Sequence, residues 1–150
     1  MPEPQLNVST RRTPPHLWVV GVLALLWNAI GVVDYSMTQT RNAGYMAGFT
    51  PEQLAFFYGM PRLVVSAWAV GVFGGLAGSL LLLLRRRLAV WVLLASVLGV
   101  VTTTFHNYVL ADGMAVAGDP FSLVLTAVIF IVALGLFLYA SIMHTRGVLA

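Results

Sequence analysis

Four long apolar runs separated by polar breaks fill most of this chain, and six of its eight arginines fall on one alternating set of connections. A helix needs about 20 apolar residues to cross a hydrocarbon core of roughly 30 Å. In lipid the backbone must satisfy its own hydrogen bonds, which leaves only helices and closed barrels. Barrel strands would alternate apolar with polar residues, and these runs do not. The pattern predicts an all-α membrane protein, a four-transmembrane-helix bundle.

The spans are expected at about 17–37, 63–84, 88–110 and 121–143. Together they form one membrane domain over 17–144, preceded by a flexible cytoplasmic tail (1–16) and followed by a cytoplasmic tail (145–150). With 59% of 150 residues hydrophobic and 9% charged, there is no room for a separate soluble domain. The absence of cysteine removes disulfides, thiolate metal sites and thiol nucleophiles together. All eight basic residues are arginines, but no basic groove with interleaved aromatics is visible, so nucleic acid is not expected as a partner.

Orientation follows from the charges. Arg11 and Arg12 precede span one, Arg85, Arg86 and Arg87 join spans two and three, and Arg146 follows span four. The opposite connections hold only Arg41 and Arg62 beside Asp34, Glu52, Asp112 and Asp119. The positive-inside rule then places both termini in the cytoplasm. The first run is too long for a signal peptide and exits into Asp34, Tyr35, Ser36 and Met37, so it reads as an uncleaved anchor.

Between spans one and two, Thr50-Pro51-Glu52-Gln53 supplies an N-cap, a proline at the first helical position and a glutamine three residues after the cap. A short helix is expected from Pro51 to Tyr58. It either lies in the outer interface with its apolar face down or rests as a lid on the bundle mouth.

Small and polar residues also recur at helical spacing. The stripes are Gly21, Ala24, Asn28, Gly31 and Tyr35 on span one, and Ala67, Gly71, Gly74 and Gly78 on span two, with Gly75 making a second GxxxG with Gly71. Span three offers Ala95, Gly99, Thr102 and His106, and span four Ser122, Thr126, Ala133 and Ala140. Helices in lipid associate through close backbone approach, so these faces predict a compact bundle. The alternative, dimerisation through span two, uses the same glycines.

Any chemistry is expected at the outer end. Asp34 lies about 25 Å from the start of span one and His106 about 27 Å from the start of span three, a shared depth. An ionisable group in a span demands a partner, which makes Asp34 with Arg62 or His106 the candidate pair, and Tyr35, Arg41, Asn107 and Asp112 can join it. A structural ion pair is the plainer reading of the same residues. Asn28 sits near the midplane, where an amide must hydrogen-bond across helices. No metal-ligand spacing, nucleophile-base pair or phosphate loop is visible, so neither cofactor nor catalysis is expected.

The segments Leu26-Trp27-Asn28-Ala29-Ile30-Gly31, Asp34 to Arg41, Tyr45-Met46, Phe49-Thr50-Pro51-Glu52 and Phe57-Tyr58 resemble a family of small four-span bacterial inner-membrane proteins. Trp68 to Val72, Gly78 to Leu82, the arginine run at 85–87 and Arg146-Gly147-Val148-Leu149 extend the resemblance over nearly the whole chain. Members often carry the label "sugar transporter". The family's recurrent Asn28, Asp34, Gln39 and Arg41 positions are filled here, whereas Arg62 replaces its usual neutral residue. The resemblance implies a multi-pass protein of the bacterial inner membrane, with the short helix periplasmic and a small solute as ligand. Besides the lipid bilayer, the expected partners are a second copy or another membrane protein. A non-catalytic accessory subunit, recognised through the glycine face of span two, is the competing function.

Overall fold

The computed structural model describes residues 12–150, so Arg11 and most of the expected N-terminal tail lie outside the described residues. The described chain is helical throughout. Four helices are long and apolar enough to cross a membrane: Pro15–Gln39, Arg62–Leu83, Leu88–Leu110 and Pro120–Thr145. This is a multi-pass membrane architecture. In chain order the elements are α1 (Pro15–Gln39), α2 (Ala43–Met46), α3 (Pro51–Tyr58), α4 (Arg62–Leu83), α5 (Leu88–Phe105), α6 (Gly113–Ala117) and α7 (Pro120–Thr145). Beyond Phe105, α5 continues as a π-helical turn, His106–Leu110.

Helix α1 starts two residues before the expected Leu17. Pro15 occupies the first turn, where its missing N–H is an orphan in any case. The short helix α3 has the predicted bounds and cap. Thr50 Oγ1 accepts from the Gln53 N–H at 3.3 Å, and the Thr50 N–H donates to Gln53 Oε1 at 3.0 Å. Asp119 caps α7 by accepting from the Ser122 N–H and hydroxyl at 3.0 and 2.6 Å.

The long helices pack in series: α1 on α4, α4 on α5, and α5 on α7. The tightest seam is α4–α5, and glycine makes it. A methyl group on Gly99 would lie 2.5 Å from the Ala67 carbonyl oxygen and 2.6 Å from the Gly71 nitrogen, so the two backbones touch. One turn along, a methyl on Gly74 would meet Ser96, and one on Gly78 would meet Leu93. Gly75 faces the Asn28 side chain of α1 and Ser96 Oγ of α5 together. The glycine face of span two is therefore packed within the chain, against α5 and α1.

The span-three stripe needs a correction. Gly99 is buried, but Ala95 and Thr102 are exposed, and the other buried residues of α5 are Ala89, Leu93, Ser96 and Val97. Size alone misplaced the face, because Leu93 and Ser96 fit against the glycines that α4 contributes.

One end of the bundle gathers the Arg85–Arg87 connection and both described termini. Arg85 Nη1 donates to Thr13 Oγ1 at 2.8 Å, and the backbone of Ala150 exchanges hydrogen bonds with Arg85 and Arg87. Within the tail at 145–150, Leu149 is buried and Val148 packs on the core. The main apolar core lies at this arginine end, built from Leu17, Ala24, Leu82, Ala89, Leu93, Leu136, Ala140 and Met143. Outward-facing side chains such as Trp91, Ile131 and Phe121 are exposed, as lipid-facing residues must be.

Candidate functional site

At the distal end the packing is different. Helices α1 and α7 share no extended interface; His16 Nδ1 and the Tyr139 hydroxyl join them at 2.6 Å near the arginine end. Above that point the two helices flank a cavity of about 480 Å³. Its floor lies at Asn28, Gly71, Ser96 and Ala133, about 12–20 Å along their helices from the arginine end, near mid-bundle. Its walls are Trp27, Gly31, Trp68, Val72, Val100, Leu125, Ile129 and Val132, and Tyr45, Phe56, Phe57, Gly113 and Ala117 roof it. The short helices α3 and α6 meet across this mouth, so α3 takes the place of a lid over the span ends.

The floor is held by hydroxyls and an amide. Asn28 Nδ2 donates to the Ala24 carbonyl at 2.8 Å and to Ser79 Oγ at 3.3 Å, bridging α1 and α4. Ser79 Oγ in turn donates to the Gly75 carbonyl at 2.7 Å, and Ser96 Oγ donates across the α4–α5 seam to the Gly71 carbonyl at 2.6 Å. Each is a polar group satisfied inside a membrane bundle, where an unmade bond would be costly. Among the described residues, no buried side-chain nitrogen or oxygen lacks a partner.

Asp34 sits at the upper edge of this cavity, where its Oδ1 accepts from the Tyr45 hydroxyl at 2.5 Å. That bond to Asp34, with partial burial and the adjacent negative charge added, pushes the Tyr45 phenol up to about 12. Tyr45 therefore stays a protonated donor at every physiological pH. Further round, the Tyr108 and Thr126 hydroxyls meet at 3.0 Å, and Thr126 also donates to the Ser122 carbonyl at 2.9 Å.

The expected outer cluster separates into distinct places. Asn28, Asp34 and Asn107 line the cavity. Tyr35 does not; its ring stands edge-on to Trp68 and Phe73, with centroids 5.0 and 5.8 Å away, inside the α1–α4 contact. His106 lines neither pocket, and its Nδ1 lies 3.3 Å from the side-chain oxygen of its own neighbour Asn107. Equal depth along two helices did not bring it to Asp34: Asp34 lines the cavity together with Asn107, and His106, one residue before Asn107, does not. Arg41 and Arg62 line a second pocket of about 380 Å³ with Thr38, Gln39, Tyr58 and Ser66. Asp34 thus bonds a phenol and neither arginine.

Tyr45, Thr103, Thr104, Tyr108 and Thr126 are cavity residues that the sequence did not single out as a site. The spacing of Thr103, Thr104, Asn107 and Tyr108 is one helical face and held that information. Tyr45 had no such signal, since it reaches Asp34 from a separate four-residue helix. Among the described residues, no group of three His, Asp or Glu side chains could hold a metal ion.

A scan against protein-family models, a search of curated proteins and a search of solved structures each return no match to this chain. The functional reading rests on the site itself.

Proposed function

We propose that this protein is a membrane-embedded binder or carrier of a small amphipathic molecule, taken up between α1 and α7. The observation that carries the reading is the cavity between two helices without a shared interface, with a few polar groups set in an apolar wall. Its volume of about 480 Å³ falls in the range of small-ligand sites, roughly 300–1,000 Å³. A ligand with a hydrocarbon body and one or two hydroxyl or carbonyl groups can satisfy Asn107, Thr104 and the Asp34–Tyr45 pair while its body contacts Trp27, Val72, Val100 and Ile129.

The solute reading implied by the family resemblance is kept, with the ligand class narrowed. A free sugar carries a hydroxyl on nearly every carbon, and each one buried against an apolar wall without a partner opposes binding by roughly 1–3 kcal/mol. An amphiphile avoids that penalty and can enter sideways from the bilayer. By the positive-inside rule the arginine end faces the cytoplasm, which puts the cavity mouth and α3 on the periplasmic side of a bacterial inner membrane.

The test is an organic extract of the protein purified in mild detergent, analysed by mass spectrometry, for wild type and for Ala133→Phe, which fills the cavity floor. A stoichiometric amphiphile in the wild type that the variant lacks, at unchanged helicity and monodispersity, is the expected result. Uptake of labelled glucose by proteoliposomes that depends on Asp34, with no retained amphiphile, would refute the narrowed class.

A further inference from the structure

We infer that the second pocket binds the phosphate of an anionic phospholipid headgroup on Arg41 and Arg62. The pocket of about 380 Å³ sits where α1 ends and α4 begins, on a different face of α4 from the cavity, with Phe57 and Met60 forming the wall between them. Two guanidiniums from separate elements line it, together with the Thr38 and Ser66 hydroxyls, the Gln39 amide and Tyr58. No carboxylate lines it, and among the described residues neither arginine meets one.

The local physics calls for an anion. Arg62 is the first residue of α4, where the helix macrodipole already places partial positive charge, so a cation there is opposed until a negative group joins it. Arg41 is held with a left-handed backbone, φ 51°, which a side chain larger than glycine seldom adopts. Its guanidinium is fixed 4.3 Å over the Tyr58 ring, a cation–π contact that leaves its N–H edges free to donate. Arginine forks match the paired oxygens of a phosphate, and two of them suit a phosphodiester better than a single carboxylate does.

A lipid is the favoured source of that phosphate. The pocket lies at the ends of two spanning helices, the level of the headgroups of one leaflet. Phe57, Met60 and Val65 give it an apolar side, and Leu63 next to Arg62 is 77% exposed, a surface for glycerol and acyl carbons. The site is independent of any ligand in the central cavity.

Native mass spectrometry of the purified full chain tests this with three probes: phosphatidylglycerol, a diacylglycerol with the same chains, and inorganic phosphate. Wild type is expected to bind phosphatidylglycerol, with affinity falling about tenfold in Arg41→Gln or Arg62→Gln and about a hundredfold in the double variant. The diacylglycerol should bind all forms equally weakly, and millimolar inorganic phosphate should not displace the lipid. Both arginines are exposed, so the variants should fold; Ser66→Leu, which fills the pocket and keeps both charges, provides an independent loss of binding. Phosphatidylglycerol affinity unchanged in the double variant and in Ser66→Leu would overturn the proposal. So would arginine-dependent binding of inorganic phosphate alone, which would make the pocket a site for a free anion.

Discussion

Substituting Gly99 by alanine tests the packing on which the distal architecture stands. The added methyl would lie 2.5 Å from the Ala67 carbonyl oxygen, 2.6 Å from the Gly71 nitrogen and 3.0 Å from the Gly71 Cα. All three are backbone atoms of α4, so no side chain can rotate away. Restoring an ordinary 3.4 Å contact from 2.5 Å requires α4 and α5 to separate by the difference, about 0.9 Å. That movement strains the seam by about 1–3 kcal/mol. It also stretches the 2.6 Å bond from Ser96 Oγ to the Gly71 carbonyl, which contributes about 1 kcal/mol. Alanine's better helix propensity returns about 1 kcal/mol, leaving a net loss near 2 kcal/mol. The control is Gly135→Ala on α7, where nothing lies within 4 Å of the new methyl, so only the propensity gain of up to about 1 kcal/mol remains. Reversible unfolding in mixed micelles, followed by circular dichroism, measures both. Equal stability of the two variants would refute the claim that glycine sets the α4–α5 distance.

Three further predictions follow from individual bonds. Asn28→Ala removes the link to Ser79 and leaves a void beside Gly75, and the same unfolding assay should show a loss of about 1–2 kcal/mol. Tyr45→Phe deletes the donor to Asp34; because Tyr45 is 38% exposed, screening reduces the effect to about 1 kcal/mol. The same pair sets an alkaline limit. The phenol's folded value of about 12 lies above its ordinary 10.0, so its stabilisation is complete below pH 10 and is lost as pH rises through about 12. An alkaline melt of wild type should show this extra loss, and Tyr45→Phe should lack it. Thr50→Ala breaks both arms of the α3 capping box and should loosen α3 by about 1 kcal/mol, read as faster amide hydrogen exchange over 51–58 with the spans unchanged.

The legible parts of this molecule were those governed by local rules. Hydrocarbon thickness and backbone satisfaction place the four spans, and the Thr50–Gln53 box marks the start of α3 to the residue. The small-residue faces of spans one and two point into the bundle, since Gly21, Gly71, Gly75 and Gly78 are all buried. What could not be read was which helix stands beside which. Asp34 and His106 share a depth, yet Asp34 lines the cavity and His106 does not, and a one-dimensional ruler carries no azimuth. The same gap separated Arg41 and Arg62 from Asp34: all three sit at the distal end, but Asp34 turns into the cavity and the arginines turn to another face. Tyr45 was hidden for a further reason, because a four-residue helix in a connection has no periodicity to reveal its facing.

The cavity is a consequence of the glycine seam rather than of the polar residues that line it. Backbone contact between α4 and α5 makes this pair the narrow centre of the bundle, and α1 and α7 dock on its two flanks, α1 through Asn28 and Gly31 and α7 against α5. At the arginine end, large side chains such as Leu17, Leu136 and Met143 fill the gap between the flanking helices. Higher up, α7 presents Thr126 and Ala133 among the cavity-lining residues, and the space between α1 and α7 stays open. Replacing Ala133 with a bulky residue should therefore extend the core upward and close the cavity without changing any polar partner. The charges fall into place by the same geometry: Asp34, at the cavity rim, takes a neutral phenol as its donor, while the two arginines are turned to a pocket without a carboxylate. An acid and two bases at one level of the bundle remain unpaired with each other because each has a different face to serve.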